Sequence, residues 1–156
     1  MVFTACGRKR FFPKIRALVQ AAPSLEHFSL VALLPQYRDI DQIRRGTDPP
    51  IYYQDYHIRV SELRMALAEY NIDRKYLRLI VYVPDYNFLK DYDDLEFNIK
   101  WIVMELVGEL AYSKHIKRVQ FEQLPSDLTG LCPLVELPDF IDYLYKINSR
   151  RKTRVV

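Results

Sequence analysis

The densest run of oxygen ligands in the chain is Asp85-Tyr86-Asn87-Phe88-Leu89-Lys90-Asp91-Tyr92-Asp93-Asp94-Leu95-Glu96. With Asp85 as the first position of a calcium loop, Asn87, Asp91, Asp93 and Glu96 fall where ligands belong. Two demanding positions fail. Leu89 offers no side-chain oxygen where a ligand is needed, and Lys90 stands where the sharp turn needs glycine. A β-prone segment, not a helix, precedes the run. The carboxylates are better explained as a helix start, with Asp93 and Glu96 at the spacing of a capping box.

Thiol and imidazole chemistry has as little support. Cys6 and Cys132 lie far apart in the sequence, and neither belongs to a C-x-x-C pair. His27, His57 and His115 fall on three different segments without ligand spacing, so no metal site is read. Cys132 stands beside Pro133 between Leu131 and Leu134, a packing environment. A nucleophilic thiol would need an imidazole brought from a distant segment. The 4 glycines include no phosphate-binding loop, and no serine occupies a nucleophile elbow. Glu105 and Glu109 share a helix face four residues apart, the usual pattern of a solvated surface. No catalytic residue and no cofactor are assigned.

Tyrosine is the compositional outlier, with 12 Tyr and 8 Phe against a single Trp. Tyr52, Tyr53, Tyr56, Tyr70, Tyr76, Tyr82 and Tyr86 gather around the central strands, with Arg59, Arg64, Arg74 and Arg78 interspersed. Rings and guanidinium groups of this kind suit a protein interface, and secondarily stacking on single-stranded RNA. The binding candidates are therefore Tyr52, Tyr53, Tyr56, Arg64, Arg78, Tyr82 and Tyr86.

The 156 residues, 49% hydrophobic and 28% charged, fit one globular domain over residues 1–148 with a charged, flexible tail over 149–156. A net charge of +3 does not by itself call for a nucleic-acid partner. Its distribution is uneven. Arg8, Lys9, Arg10, Lys14 and Arg16 cluster at the start, Arg150, Arg151, Lys152 and Arg154 at the end, and the acids at 85–96. No apolar run reaches the about 18 residues of a membrane span, and no secretory signal is read before Cys6, so reduced thiols in a cytoplasm are expected.

The elements follow from periodicity. Val2 to Cys6 is a short strand. Phe11, Ile15, Leu18, Val19 and Ala22 mark one face of a helix between Pro13 and Pro23. His27 to Leu34 is a second strand. Residues 35–50 form a long connection, with a helical turn near Asp39 to Arg45, and are the preferred partner-reading loop. Ile51 to Val60 bends at Gln54-Asp55. Residues 61–71 are ambiguous between helix and strand, with a hairpin onto Tyr76–Val83 preferred. Asp93 to Ser113 is the clearest helix, with Leu95, Ile99, Ile102, Val103, Leu106, Val107 and Leu110 as its apolar stripe; Gly108 allows close packing. Lys117 to Leu124 alternates as a strand, and Pro138 opens a terminal helix facing inward through Phe140, Ile141, Leu144 and Tyr145. The expected fold is α+β. It has a mostly antiparallel sheet of five to six strands, two main helices on one face and a short C-terminal helix.

Several stretches resemble a family of uncharacterised bacterial proteins without an assigned activity. They are Thr4-Ala5-Cys6-Gly7, Leu18-Val19-Gln20-Ala21-Ala22-Pro23 with Phe28, Leu79-Ile80-Val81-Tyr82-Val83-Pro84, Val107-Gly108-Glu109-Leu110 and Leu134-Val135-Glu136-Leu137-Pro138-Asp139-Phe140. The resemblance implies an α+β architecture and carries no catalytic residue; family members often have a helical segment ahead of the first strand. Three functions remain as expectations. The first is a non-enzymatic protein-binding or regulatory module of a bacterial cytoplasm, with immunity-type and homo-oligomeric forms among its variants. An enzyme assembled from distant Cys, His and carboxylate residues comes second, and a weak single-stranded RNA binder third. Nucleic acid is disfavoured as a partner, and a membrane is not expected.

Overall fold

The computed structural model describes residues 1–36 and 38–152, with side chains described as far as Leu144. The fold is mixed α+β, as the periodicity implies, but its strands are divided among three small sheets. β5 (Arg64–Asn71) and β6 (Tyr76–Val83) form an antiparallel hairpin at the centre of the largest, whose strand order is β7-β6-β5-β8. Residues 61–71 therefore contain a strand, because Met65 and Leu67 pair with Val81 and Leu79 on the core face. β7 (Ile116–Gln123) runs parallel to β6, and β8 (Cys132–Pro133) adds antiparallel to β5.

This sheet has four strands, not five or six, and its outer β6–β7 pair is parallel. The reason lies in the connection. Between Val83 and Ile116 the chain carries α3 (Tyr86–Leu89), α4 (Leu95–Val107) and α5 (Glu109–His115). A long helical crossover returns the chain in the same direction, where a tight turn would reverse it.

α4 supplies the main core. Leu95, Ile99, Ile102, Val103 and Leu106 are buried against Leu77, Leu79, Val81 and Val83 of β6 and Leu63. α6 (Leu137–Lys152) adds Leu137, Ile141 and Leu144, so the terminal helix is longer than expected and its backbone continues through residues 149–152. Tyr145, expected to face inward, and the tail residues 153–156 lie outside what the side-chain and backbone descriptions cover. No helix among the described residues is long and apolar enough to cross a membrane.

The N-terminal part has its own small core. β1 (Val2–Phe3) pairs parallel with β2 (Val31–Ala32), and α1 (Phe12–Ala21) joins them through Ala5, Phe12 and Leu33. The second strand is thus much shorter than His27 to Leu34. Pro13 sits in the first turn of α1, but Phe12, not Phe11, is its buried anchor. The 35–50 connection holds α2 (Ile40–Arg44), capped by Asp39, whose Oδ1 accepts the Gln42 N–H at 3.0 Å. β3 (Ile51–Tyr52) and β4 (His57–Ile58) make the bend expected at Gln54-Asp55 a tight hairpin, closed by Tyr53 N–H to Tyr56 O at 2.8 Å.

The helix expected over 93–113 is two helices. Gly108, at φ +81°, ends α4, and a Cβ there would lie 3.3 Å from the Gln36 backbone nitrogen. Glycine therefore lets the 34–36 backbone approach, and Glu109 N–H donates to Leu34 O at 2.8 Å. Beyond the break Glu109 is fully buried, whereas Leu110, expected in the apolar stripe, is about half exposed.

Candidate functional site

The tyrosine and arginine candidates separate into two places. Along β6 the odd residues Leu77, Leu79, Val81 and Val83 enter the core, so Tyr76, Arg78, Ile80 and Tyr82 share the opposite face. Register places Arg64 beside Tyr82, and Arg118, Gln120 and Glu122 beside Arg78, Ile80 and Tyr82. This face is open, and part of its charge is engaged within the chain. Arg78 Nη1 pairs with Glu69 at 3.0 Å, Tyr76 donates its hydroxyl to Glu69, and Lys117 Nζ lies 3.7 Å from the Tyr76 ring centre. Arg64 Nη1 donates to Ser61 O at 2.9 Å and Leu63 O at 3.3 Å. Two guanidinium groups expected to meet a partner thus have partners within the chain.

Tyr52, Tyr53, Tyr56 and Tyr86 are not on that face. The β3–β4 hairpin and α3 carry them to the start of α4. Tyr52 is exposed on the hairpin, whereas Tyr56 is buried, with its ring 4.9 Å from Tyr53 and 5.2 Å from Tyr92. Its hydroxyl donates to Asp94 Oδ1 at 3.0 Å and accepts from Asn98 Nδ2 at 2.8 Å. Burial, reinforced by Asp94, pushes this hydroxyl up to about 12, while the Asn98 bond opposes the shift. Tyr86 stacks on Phe121 and donates to Glu96 at 3.4 Å; burial first and then Glu96 hold its hydroxyl above the ordinary value.

The same geometry corrects the capping box. α4 begins at Leu95 after Asp94, whose side chain caps nothing and binds Tyr56 and Asn98 instead. Asp94, Asn98, Trp101 and Glu105 then form a polar stripe down α4. Trp101 Nε1 donates to Glu105 Oε1 at 3.1 Å, and Arg38 Nε donates to Glu105 Oε2 at 2.7 Å. The stripe fastens the 35–58 segment to the helix. Asn98, Glu105 and Glu109 are therefore structural ties, not a solvated face.

Glu109 is the tie that sequence reasoning missed. It is fully buried, with Oε1 accepting the N–H groups of Ala5 at 2.8 Å and Gly7 at 2.9 Å. Its Oε2 accepts the Leu34 N–H at 2.9 Å. One carboxylate thereby joins the first loop, the end of β2 and the α4–α5 junction. A signal for it exists: Ile99, Ile102, Leu106 and Glu109 continue one helical face, so a carboxylate stands where the next core residue belongs.

Two concave surfaces bear on these readings. A pocket of about 270 Å³ at the end of β6 gathers His57, Arg59, Glu62 and Asp85, with Asp85 in a left-handed conformation at φ +55°. No thiol is among its lining residues, so it is not the Cys–His site expected for an enzyme. The second is a groove of about 450 Å³ between α1 and α4. Phe11, Ile15 and Leu18 form one wall, Phe97 stands opposite, and Cys6, Arg8 and Lys14 complete the rim. Of the α1 face expected to be buried, Leu18 is 55% exposed, and Phe97 on α4 is 57% exposed. Both cysteines are free and exposed; Cys6 lies in this groove and Cys132 on the edge strand β8. Among the described residues no cluster of three His, Cys, Asp or Glu is placed to hold a metal ion.

Comparison with known proteins returns no match, whether to a protein-family model, a curated protein or a solved structure.

Proposed function

We propose that the protein is a non-enzymatic binding module that holds an acidic, apolar segment of a partner protein in the groove between α1 and α4. The groove itself carries this reading. Leu18 and Phe97, each more than half exposed, line one concave surface together with Phe11 and Ile15, and apolar groups clustered in this way favour an interaction site. Charge selects the partner. Residues 1–25 contain Arg8, Lys9, Arg10, Lys14 and Arg16 and no Asp or Glu. Such a wall accelerates encounter with an acidic segment and repels a basic one, while apolar anchors in the groove supply affinity. An immunity-type protein of a bacterial cytoplasm, neutralising an acidic partner, is one form of this reading.

Selection from a displayed library of random 12-residue peptides tests it. Enriched peptides should combine Asp or Glu with Leu, Phe or Trp, bind more weakly at high salt, and be lost with Leu18→Glu or Phe97→Asp. Absence of enrichment, or binding only to vesicles containing phosphatidylserine, would refute it.

A second reading, as an enzyme, rests on one observation: Asp85, in a left-handed backbone conformation, shares a pocket with an imidazole, a guanidinium and another carboxylate. Hydrolysis of chromogenic ester, phosphate or glycoside substrates, abolished by both His57→Ala and Asp85→Asn, would support it. Failure to turn over any of the three classes counts against it.

A further inference from the structure

The 35–50 connection contains a buried carboxylate that its own fold leaves half satisfied. Asp48 is 5% exposed. Its Oδ2 accepts the Ser61 N–H at 3.2 Å, while its Oδ1 has no hydrogen-bond partner among the described residues. An acceptor oxygen without a donor in a buried position is costly, and folded proteins rarely leave one so. The oxygen belongs to a residue lining a cavity of about 350 Å³, distinct from the groove and from the β6 pocket. A volume of that size lies at the lower end of the range for small-ligand sites.

The other lining residues say what the missing donor is. Arg38 is turned to Glu105 through two guanidinium nitrogens, so its charge is already balanced. Asp39 caps α2 with Oδ1. Ile43 and Val60, both buried, supply apolar wall, and Gln42 adds an amide. The spare charge around the cavity is therefore negative, carried by Asp39 and Asp48, and of the two only Asp48 is buried with an oxygen that has no donor. A hard metal ion would require several more oxygen ligands than one carboxylate provides, and no described cluster supplies them. An anion would be repelled.

We propose that this cavity is a binding site for a cationic N–H donor on a short alkyl chain, an alkylguanidinium or alkylammonium group whose head bonds Asp48 Oδ1. The stem lies against Ile43 and Val60, and burial makes the charge-assisted hydrogen bond stronger than its surface counterpart. A free amine or guanidine and the side chain of an arginine or lysine on another protein present the same chemistry. The site stands apart from the proposed partner groove, and neither reading depends on the other.

Two-dimensional amide NMR of the intact protein provides the test, with n-butylguanidinium and n-butylammonium as probes and neutral n-butylurea as the shape-matched control. The cations should shift the Gln42, Asp48 and Ser61 resonances saturably in about the millimolar range, as expected of so small a ligand. Butylurea should bind at least about tenfold more weakly, and Asp48→Asn should cost the cations a similar factor. Acetyl-arginine amide provides the arm that separates sources: tighter binding than butylguanidinium assigns the site to a protein side chain, and weaker binding to a free amine or guanidine. Equal binding of butylurea, full retention in Asp48→Asn, or no saturable shift with either cation would overturn the proposal. Because the urea comparison uses the unaltered protein, it decides the matter even where the variant fails to fold.

Discussion

Replacing Glu109 by Gln removes one charge and one acceptor oxygen while keeping the side chain's shape. The native carboxylate accepts three backbone N–H groups from two distant segments, Ala5 and Gly7 on one oxygen and Leu34 on the other. An amide cannot serve both sides. With its oxygen toward Ala5 and Gly7, its NH₂ meets the Leu34 N–H; flipped, it meets two donors. Hydrogen bonds to a buried charge are worth about 1.5–3 kcal/mol each, and a buried N–H left without a partner costs about 1–3 kcal/mol. Losing one bond and weakening the others therefore amounts to about 3–5 kcal/mol, a large part of the about 5–15 kcal/mol that holds a domain of this kind. With a urea dependence of about 2 kcal/mol per molar, the midpoint should fall by about 1.5–2.5 M. Hydrogen exchange adds a local signature. The N-terminal unit has only the small core of Ala5, Phe12 and Leu33, so the amides of Ala5, Gly7, Val31 and Leu33 should lose protection before those of β6. A midpoint shift below about 0.5 M with unchanged exchange at these amides would refute the role given to Glu109.

Gly108→Ala should destabilise by about 1–3 kcal/mol, read as a lower urea midpoint, since the added Cβ meets the Gln36 backbone at a φ of +81°. Tyr56→Phe deletes the hydroxyl between Asp94 and Asn98 and should cost about 1–2 kcal/mol; in the unaltered protein, ultraviolet titration should show a tyrosine ionising near about 12. His115 is held below its ordinary value of 6.5, by burial first and then by neighbouring Lys114, Lys75 and Lys9, against the opposing bond to the Lys75 carbonyl. Because a carbonyl only accepts, Nδ1 of the neutral ring carries the proton at 2.8 Å from Lys75 O. The unfolded chain then binds the extra proton first, so this contribution is complete above the unfolded value and is lost as pH falls through the folded one. Urea midpoints should fall on acidification below about pH 6.5, and His115→Asn should flatten that part of the profile. Both thiols should react with a disulfide reagent in the native state, and a bulky adduct should block peptide binding at Cys6 but not at Cys132.

What the sequence determined by itself was local. The run Tyr76–Val83 marked β6, alternation marked β7, the Leu95–Leu106 stripe marked α4, and Asp39 with its following residues marked the turn that became α2. These follow from short-range geometry, where the pattern of one segment states which of its faces is dry. The α+β class followed from their order. Strand partners did not, because parallel pairing of β6 with β7 depends on how the intervening helices return the chain.

The candidate sites were legible only in part. The seven Tyr and Arg candidates were identified by type, but the tertiary structure placed three on the open sheet face and four near the start of α4, and bound both arginines internally. The stripe Phe11, Ile15 and Leu18 was visible in the sequence; that Phe97 stands opposite and nothing among the described residues covers the space between is a fact of packing. Glu109 and Asp48 show the limit most clearly. A carboxylate has the same chemistry in any stretch of sequence, and whether it meets water, three backbone donors or a cavity wall depends on segments far away in the chain. Burial makes each charge matter, and burial is decided by the whole fold.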